Sequence, residues 1–215
     1  MGIVRRLALL ALLCTSAGCR GTYPAKNEDP SLGVSAILVR GRVLLPTGET
    51  QSGKLLLNLE SEGERYRVRF PPKETTLYIV EPGVYRLYPT RNIFGGPQDK
   101  LKIVVNGRSY RVAFPRDILR RDPIAIKPGK IASIGALEAK LVPNAGKPGF
   151  KIEVTLDDGI ETRRQLVQDM ISRMMDPDAA PSQRENAVTW TRALEQALVQ
   201  IQGSNETKPA FKPSE

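Results

Sequence analysis

Apolar and polar residues alternate along most of the chain between residues 37 and 156, the pattern of half-buried β-strands. The strictest alternation is at residues 65–70, where three arginines alternate with Tyr, Val and Phe. Glycine and proline turns separate the segments, and Asn106-Gly107 between two apolar runs is a typical hairpin sequence. Many short strands with such spacing favour a mainly β fold, an antiparallel β-sandwich over residues 34–157. The predicted strands are 37–45, 55–60, 65–70, 77–80, 84–88, 101–105, 110–114, 124–126, 131–141 and 150–156.

Beyond residue 158 the apolar spacing changes to three and four residues, which predicts amphipathic helices at 161–175 and 183–202. The short connection permits an antiparallel helical hairpin over residues 158–203. Gly203 is predicted to end the second helix, and the polar residues 204–215 predict a disordered tail. The second helix carries Trp190 on its apolar stripe. That stripe must be buried, either within the chain, as we predict, or against another protein.

The first nineteen residues have the order of an export signal: Arg5 and Arg6, an apolar run at 7–13, then small residues before Cys19. The run is far shorter than the roughly 20 residues of a membrane span. The sequence SAGC at 16–19 resembles the lipobox of bacterial lipoproteins, which are cut before the cysteine and acylated on its sulfur. The resemblance implies a signal peptide over 1–18, a lipidated Cys19 bearing palmitate-type chains, and a tether over 19–33. A soluble secreted protein cut at the same small residues is the alternative.

Without residues 1–18 the chain retains only Cys19, which then has no partner for a disulfide. Acylation gives this lone thiol a role. Arg20 follows the cysteine, whereas Gram-negative lipoproteins that stay in the inner membrane commonly carry an aspartate there. The resemblance therefore implies a membrane anchor in the cell envelope, in the outer membrane facing the periplasm.

Short motifs at the start of the β region resemble the prealbumin-like modules related to the regulatory domain of carboxypeptidases. They are GRV at 41–43, PTG at 46–48 and PGVYRL at 82–87. The resemblance covers residues 37–90 and implies a seven-stranded sandwich that binds, braces or spaces without catalysis. The predicted strands from residue 101 onward lie outside it.

The chain carries 32 Lys and Arg against 23 Asp and Glu, and it contains no histidine. The basic excess favours acidic partners such as anionic lipid head groups or acidic glycans, although a soluble basic surface is the alternative. The usual general base and the usual zinc ligands are missing, so we predict no catalytic residue, metal or cofactor. No nucleic-acid motif appears. A hydrolase of envelope polymers would need a Ser–Lys or carboxylate pair, which no local motif marks.

Arginines on strand faces are the sharpest polar feature of the sequence. They predict a basic sheet face for an anionic partner, against the alternative of a plain solvated face. The predicted function is that of a lipid-anchored, non-catalytic scaffold or binding module at the periplasmic side of a membrane. Its expected partners are another envelope protein or an anionic glycan or lipid. The candidate anion-binding residues are Arg65, Arg67, Arg69, Arg86 and Arg111.

Overall fold

The computed structural model describes residues 28–50, 53–61, 65–70, 74–89, 100–105, 107–146, 150–178 and 186–206. These described residues form ten strands in two sheets, followed by a helical pair, which confirms the predicted sandwich and hairpin. Every predicted strand has a counterpart. The strands are β1 (Ser35–Leu44), β2 (Gly53–Glu60), β3 (Arg65–Phe70), β4 (Thr76–Val80), β5 (Gly83–Tyr88), β6 (Lys100–Val105), β7 (Arg108–Ala113), β8 (Ile124–Ile126), β9 (Ile131–Pro143) and β10 (Phe150–Asp157). The helices are α1 (Arg116–Leu119), α2 (Ile160–Met174) and α3 (Ala187–Glu206).

Both sheets combine pairs of consecutive strands with pairs of strands that are distant in sequence. The first has the order β10-β9-β1-β4, and the second the order β7-β6-β2-β5-β8, with β3 on the other edge of β2. All pairs are antiparallel except β1 with β9, which run parallel. A parallel pair needs a long connection, and here β2 to β8 form it. The predicted antiparallel sandwich therefore holds for every strand pair described except this one.

Alternate residues of β1 divide between two apolar cores. Ile37, Val39 and Val43 face the second sheet and are fully buried in the core between the sheets. Gly41 lies on this face, and a Cβ there would stand 2.1 Å from the carbonyl oxygen of Phe70. The sheets therefore approach each other closely at this point, which requires a glycine.

The helices form a third layer on the outer face of the first sheet. Ala36 and Leu38 of β1 pack there against α2 and α3. Trp190 of α3 has no exposed surface and is the largest fully buried side chain of the described residues. The prediction that Trp190 is buried within the chain is confirmed, and the helices bury their stripes against each other and against the sheet.

A charged side chain crosses this helix–sheet layer. Arg40 of β1 forms an ion pair with Asp169 of α2, and its Nη2 donates to Oγ1 of Thr75 at 2.9 Å. Burial lowers the pKa of Arg40, and the neighbouring cations Arg42 and Arg173 lower it further. A buried cation costs free energy unless it is paired, so Asp169 fixes the position of α2 on the sheet.

The folded part of the chain begins earlier than the sequence suggested. Residues 28–33, assigned to the tether, include a 3-10 helix at Pro30–Leu32, and Pro30 is buried. The backbone carbonyl of Glu28 accepts a hydrogen bond from Trp190 Nε1 at 2.7 Å. Asp29 caps this turn by accepting from the backbone N–H of Ser31 at 2.8 Å, and that bond lowers the pKa of Asp29. Residues 28–33 therefore belong to the folded body and not to the predicted tether.

The end of α3 also differs from the prediction. The helix continues through Gly203 to Glu206, so Gly203 is not a stop and residues 204–206 do not belong to a tail. Gly203 does not have the positive φ that a glycine adopts when it ends a helix in the left-handed conformation. A glycine inside a helix costs only about 1 kcal/mol, which the buried stripe of α3 offsets.

Candidate anion-binding face and adjacent cavity

β3 presents its arginines to solvent because of the alternation seen in the sequence. Arg65, Arg67 and Arg69 are exposed, whereas Val68 and Phe70 between and beyond them are buried in the core. Alternate residues of a strand point to opposite faces. The local prediction of an outward arginine row on this strand is confirmed.

Strand register brings the other two candidate arginines to the same face. Arg65 lies opposite Glu60 of β2, and Glu60 lies opposite Arg86 of β5. A second row runs across four strands, and residues directly opposite each other share a face. Its members are Arg69 of β3, Leu56 of β2, Lys102 of β6 and Arg111 of β7. We call the outward surface of the second sheet that carries Arg65, Arg67, Arg69, Arg86, Lys102 and Arg111 the basic face.

Positive charge on the basic face is largely uncompensated. Glu60 is the one carboxylate on it among the described strand residues, and the side chain of Glu60 is only 9% exposed. Its Oε1 lies 3.3 Å from Arg65 Nε and accepts from Asn58 Nδ2 at 3.0 Å. Within the described part of the chain, no carboxylate pairs with Arg67, Arg69 or Arg111.

Lys102 and Arg111 stand directly opposite each other in the β6–β7 hairpin. Like charges in such a pair destabilise a sheet, in contrast to the opposite charges of Arg65 and Glu60. Lys102 was not predicted as part of this face because its place there depends on the pairing of β6 with β2, across more than forty residues. Alternation of Lys100 and Lys102 with Leu101 and Ile103 was the available signal.

A cavity of about 840 Å³ lies beside the basic face. It is bounded by α1 and β8 on one side and by β9 and the C-terminal half of α3 on the other. Arg86 belongs both to the basic face and to the cavity wall, and its Nη1 donates to the carbonyl of Arg121 at 3.3 Å. The sequence pointed to none of this, because the walls come from segments far apart in the chain.

A β-bulge shapes the wall that β9 contributes. The register with β1 shifts between Leu38 and Val39, so that Ile134 is the extra residue and Gly135 follows with φ +109°. A Cβ on Gly135 would stand 2.2 Å from the carbonyl oxygen of Asp157. Before the bulge, Ser133 lies on the helix side of β9, as Ile131 does, and its hydroxyl donates to the carbonyl of Arg163 at 3.2 Å.

Aspartates at the turn after β10 have structural partners. Asp157 accepts from the backbone N–H of Gly159 at 3.1 Å and from Thr162 Oγ1 at 2.6 Å, at the start of α2. Asp158 forms an ion pair with Arg121. Both therefore act as turn and helix-start residues. No cluster of three metal-ligating side chains occurs in the ranges that the structure describes.

The predicted lipidation site, Cys19, lies outside the described residues, as do the predicted signal peptide, the predicted tether as far as residue 27, and residues 207–215 of the predicted tail. Within the described ranges, neither α2 nor α3 combines the length and apolarity needed to cross a membrane. The chain matches no protein-family model, and no curated protein shows significant sequence similarity to it. The resemblances to lipoproteins and to prealbumin-like modules therefore remain predictions. The ten described strands include five, β6 to β10, outside the region of the second resemblance.

Proposed function

We propose that this protein is a lipid-anchored, non-catalytic binding module of the bacterial cell envelope. Cys19 carries the lipid, the anchor lies in the outer membrane, and the folded body faces the periplasm. The body binds a partner with repeated anionic groups, a glycan or a lipid surface, through the basic face. The observation that carries this proposal is the strand register, which collects five arginines and Lys102 on one side of one sheet.

The geometry of the basic face suits a partner with regularly spaced negative charges. Successive outward residues of β3 are about 7 Å apart along the strand, and neighbouring strands are about 4.8 Å apart. The arginines therefore form a two-dimensional array rather than a pocket for one anion. The like-charged pair of Lys102 and Arg111 supports the proposal, because an anion bound between them would relieve their repulsion.

The expected strength of this interaction follows from the charge. Each Lys or Arg near an anionic membrane surface contributes about 1 kcal/mol at physiological salt. Removing three arginines from β3 should therefore cost about 3 kcal/mol, a loss of more than a hundredfold in binding. Salt should weaken the interaction, because exposed charges are screened over about 8 Å at physiological ionic strength.

The test compares two triple variants of the protein lacking its acylated cysteine. The first carries Arg65→Gln, Arg67→Gln and Arg69→Gln. The control carries Lys140→Gln, Lys151→Gln and Arg192→Gln, which remove the same charge from exposed positions away from the basic face. Binding is measured to an immobilised acidic polysaccharide and, separately, to vesicles with about a third anionic lipid.

Loss of binding in the β3 variant, with binding retained in the control, supports the proposal, and the ligand that responds identifies the partner class. Equal losses in both variants would show a non-specific effect of net charge and would overturn it. No binding to either ligand, combined with a crosslinked protein partner in the native envelope, would favour the scaffold function instead.

A further inference from the structure

The cavity beside the basic face has a lining of mixed chemistry. Twelve of its lining residues are apolar, six are cationic and two are carboxylates. Of the apolar residues, all aliphatic, eight are buried in the two cores, whereas Leu119 and Ala125 are exposed. None of the described lining residues is aromatic. A sugar or nucleobase site would be expected to offer aromatic faces for stacking. An aliphatic surface suits a flexible hydrocarbon chain instead.

The walls of the cavity are braced from several elements. Arg121 forms an ion pair with Asp158, and its Nη2 donates to the carbonyl of Leu156 at 2.8 Å, which ties the end of α1 to the end of β10. The hydroxyl of Ser35 donates to the carbonyl of Lys127 at 2.9 Å and so holds the loop after β8. The cavity is therefore formed before any ligand arrives, and its volume lies within the usual range for small-molecule sites.

Two cations at the cavity have no side-chain partner among the residues that the structure describes. Arg121 and Arg163 are engaged with Asp158 and with the carbonyl of Ser133, and Lys130 donates to Gln196 Oε1 at 2.6 Å. By contrast, the exposed side chains of Arg120 and Lys127 make no hydrogen bond or ion pair with any described residue. They are free to receive an acidic group.

Leu119 adds a further indication. This leucine of α1 lines the cavity and is 39% exposed, next in sequence to Arg120. An exposed aliphatic side chain beside an unpaired cation offers both halves of a site for an amphiphile. The apolar lining and the net positive charge are complementary to a chain with one anionic end.

We infer that the cavity binds a single-chain anionic amphiphile of the fatty-acid class. Its hydrocarbon chain lies on the aliphatic lining, and its acidic group meets Arg120 and Lys127. This site is separate from the basic face and goes beyond the proposed function, which concerns repeated charges on an extended partner.

The test is a calorimetric titration with octanoate, decanoate and dodecanoate, each below its micelle-forming concentration. It uses protein beginning at Arg20, which retains every residue of the described fold and carries no acyl chain of its own. Each buried methylene should tighten binding roughly fourfold until the cavity is full. Inorganic phosphate, which offers charge alone, and dodecyl maltoside, which offers an uncharged head, should both bind much more weakly.

Three variants locate the site. Arg120→Gln with Lys127→Gln should weaken dodecanoate binding about tenfold, and Leu119→Ser should reduce the gain per methylene. The β3 triple variant Arg65→Gln, Arg67→Gln and Arg69→Gln should leave dodecanoate binding unchanged, so failure of this inference is distinguishable from failure of the proposed function.

Affinity that does not depend on chain length would overturn the inference, as would equal binding of the uncharged amphiphile. If the β3 variant loses dodecanoate binding and the cavity variants keep it, the ligand lies on the basic face and the inferred cavity site is refuted. If a cavity variant fails to fold, the chain-length series on the unmutated protein still decides the matter, and no saturable binding there refutes the site.

Discussion

Truncation of Trp190 is the most direct test of the three-layer fold. Trp190 has no exposed surface, and it lies in the core that α2 and α3 form with the first sheet. Trp190→Ala removes its ring and leaves a cavity, which typically costs about 3–5 kcal/mol. The change also leaves the carbonyl of Glu28 without its 2.7 Å hydrogen bond from the indole. A natural domain is stable by only about 5–15 kcal/mol, so a large share of the total is lost.

A second substitution separates packing from hydrogen bonding. Trp190→Phe keeps much of the buried apolar surface but removes the N–H that Glu28 accepts. Loss of one partner of a buried hydrogen bond costs about 1–3 kcal/mol. We therefore expect Trp190→Phe to fall between the unmutated protein and Trp190→Ala, and the difference between the two variants measures the packing contribution.

The free energy of unfolding is measured by urea titration with far-ultraviolet circular dichroism, because Trp190 is the only tryptophan and both variants lose its fluorescence. Val188→Ala, on the same helix but 61% exposed, is the matched control. It should change stability by no more than about 0.5 kcal/mol. In the unmutated protein, iodide should quench the fluorescence of Trp190 only slightly.

Two results would refute this reasoning together. They are strong iodide quenching of the monomer and a loss below about 1 kcal/mol for Trp190→Ala. That combination would mean that the stripe of α3 is exposed in solution and serves as a docking surface for another protein. It would also remove the reason for the ordered turn at residues 28–33, which Trp190 holds through its hydrogen bond to Glu28.

Three further predictions concern the anchor and the contacts between layers. Cys19→Ala should move the protein from the detergent phase to the aqueous phase in partitioning, and a variant that stays in the detergent phase would exclude the lipid anchor. Gly41→Ala should lower the free energy of unfolding in urea by about 3 kcal/mol, because its Cβ would meet a backbone carbonyl of β3 at 2.1 Å. In the control Gly203→Ala the new Cβ meets no atom within 4 Å, so this change should be neutral or stabilising by up to about 1 kcal/mol. Asp169→Ala should cost about 2–3 kcal/mol in the same assay, since it leaves Arg40 buried without its carboxylate. This is less than the loss expected for a fully buried ion pair, because Asp169 is 37% exposed. A loss of stability under about 0.5 kcal/mol would contradict the pairing.

Features that depend on neighbours in sequence were predictable from the sequence alone. Alternation identified strands such as β3, where one face is apolar and the other polar, and the arginine row of β3 follows directly from that rule. It carries less signal for β1, which is buried on both faces. Helical spacing identified α2 and α3 for the same kind of reason. Burial of Trp190 was predictable because a short helix is stable only when its apolar stripe is covered.

Only the tertiary structure decided how these elements meet. The parallel pairing of β1 with β9 depends on a contact between segments far apart in the chain. The same is true of the register that places Lys102 and Arg111 on the same face as the β3 arginines. Local periodicity carries no signal for either. The end of α3 was mispredicted at Gly203 because packing of the helix outweighed the weak local preference of one glycine. The cavity has the same origin: α1, β8, β9 and α3 each contribute a wall, and no one of them marks a site until the fold brings all four together.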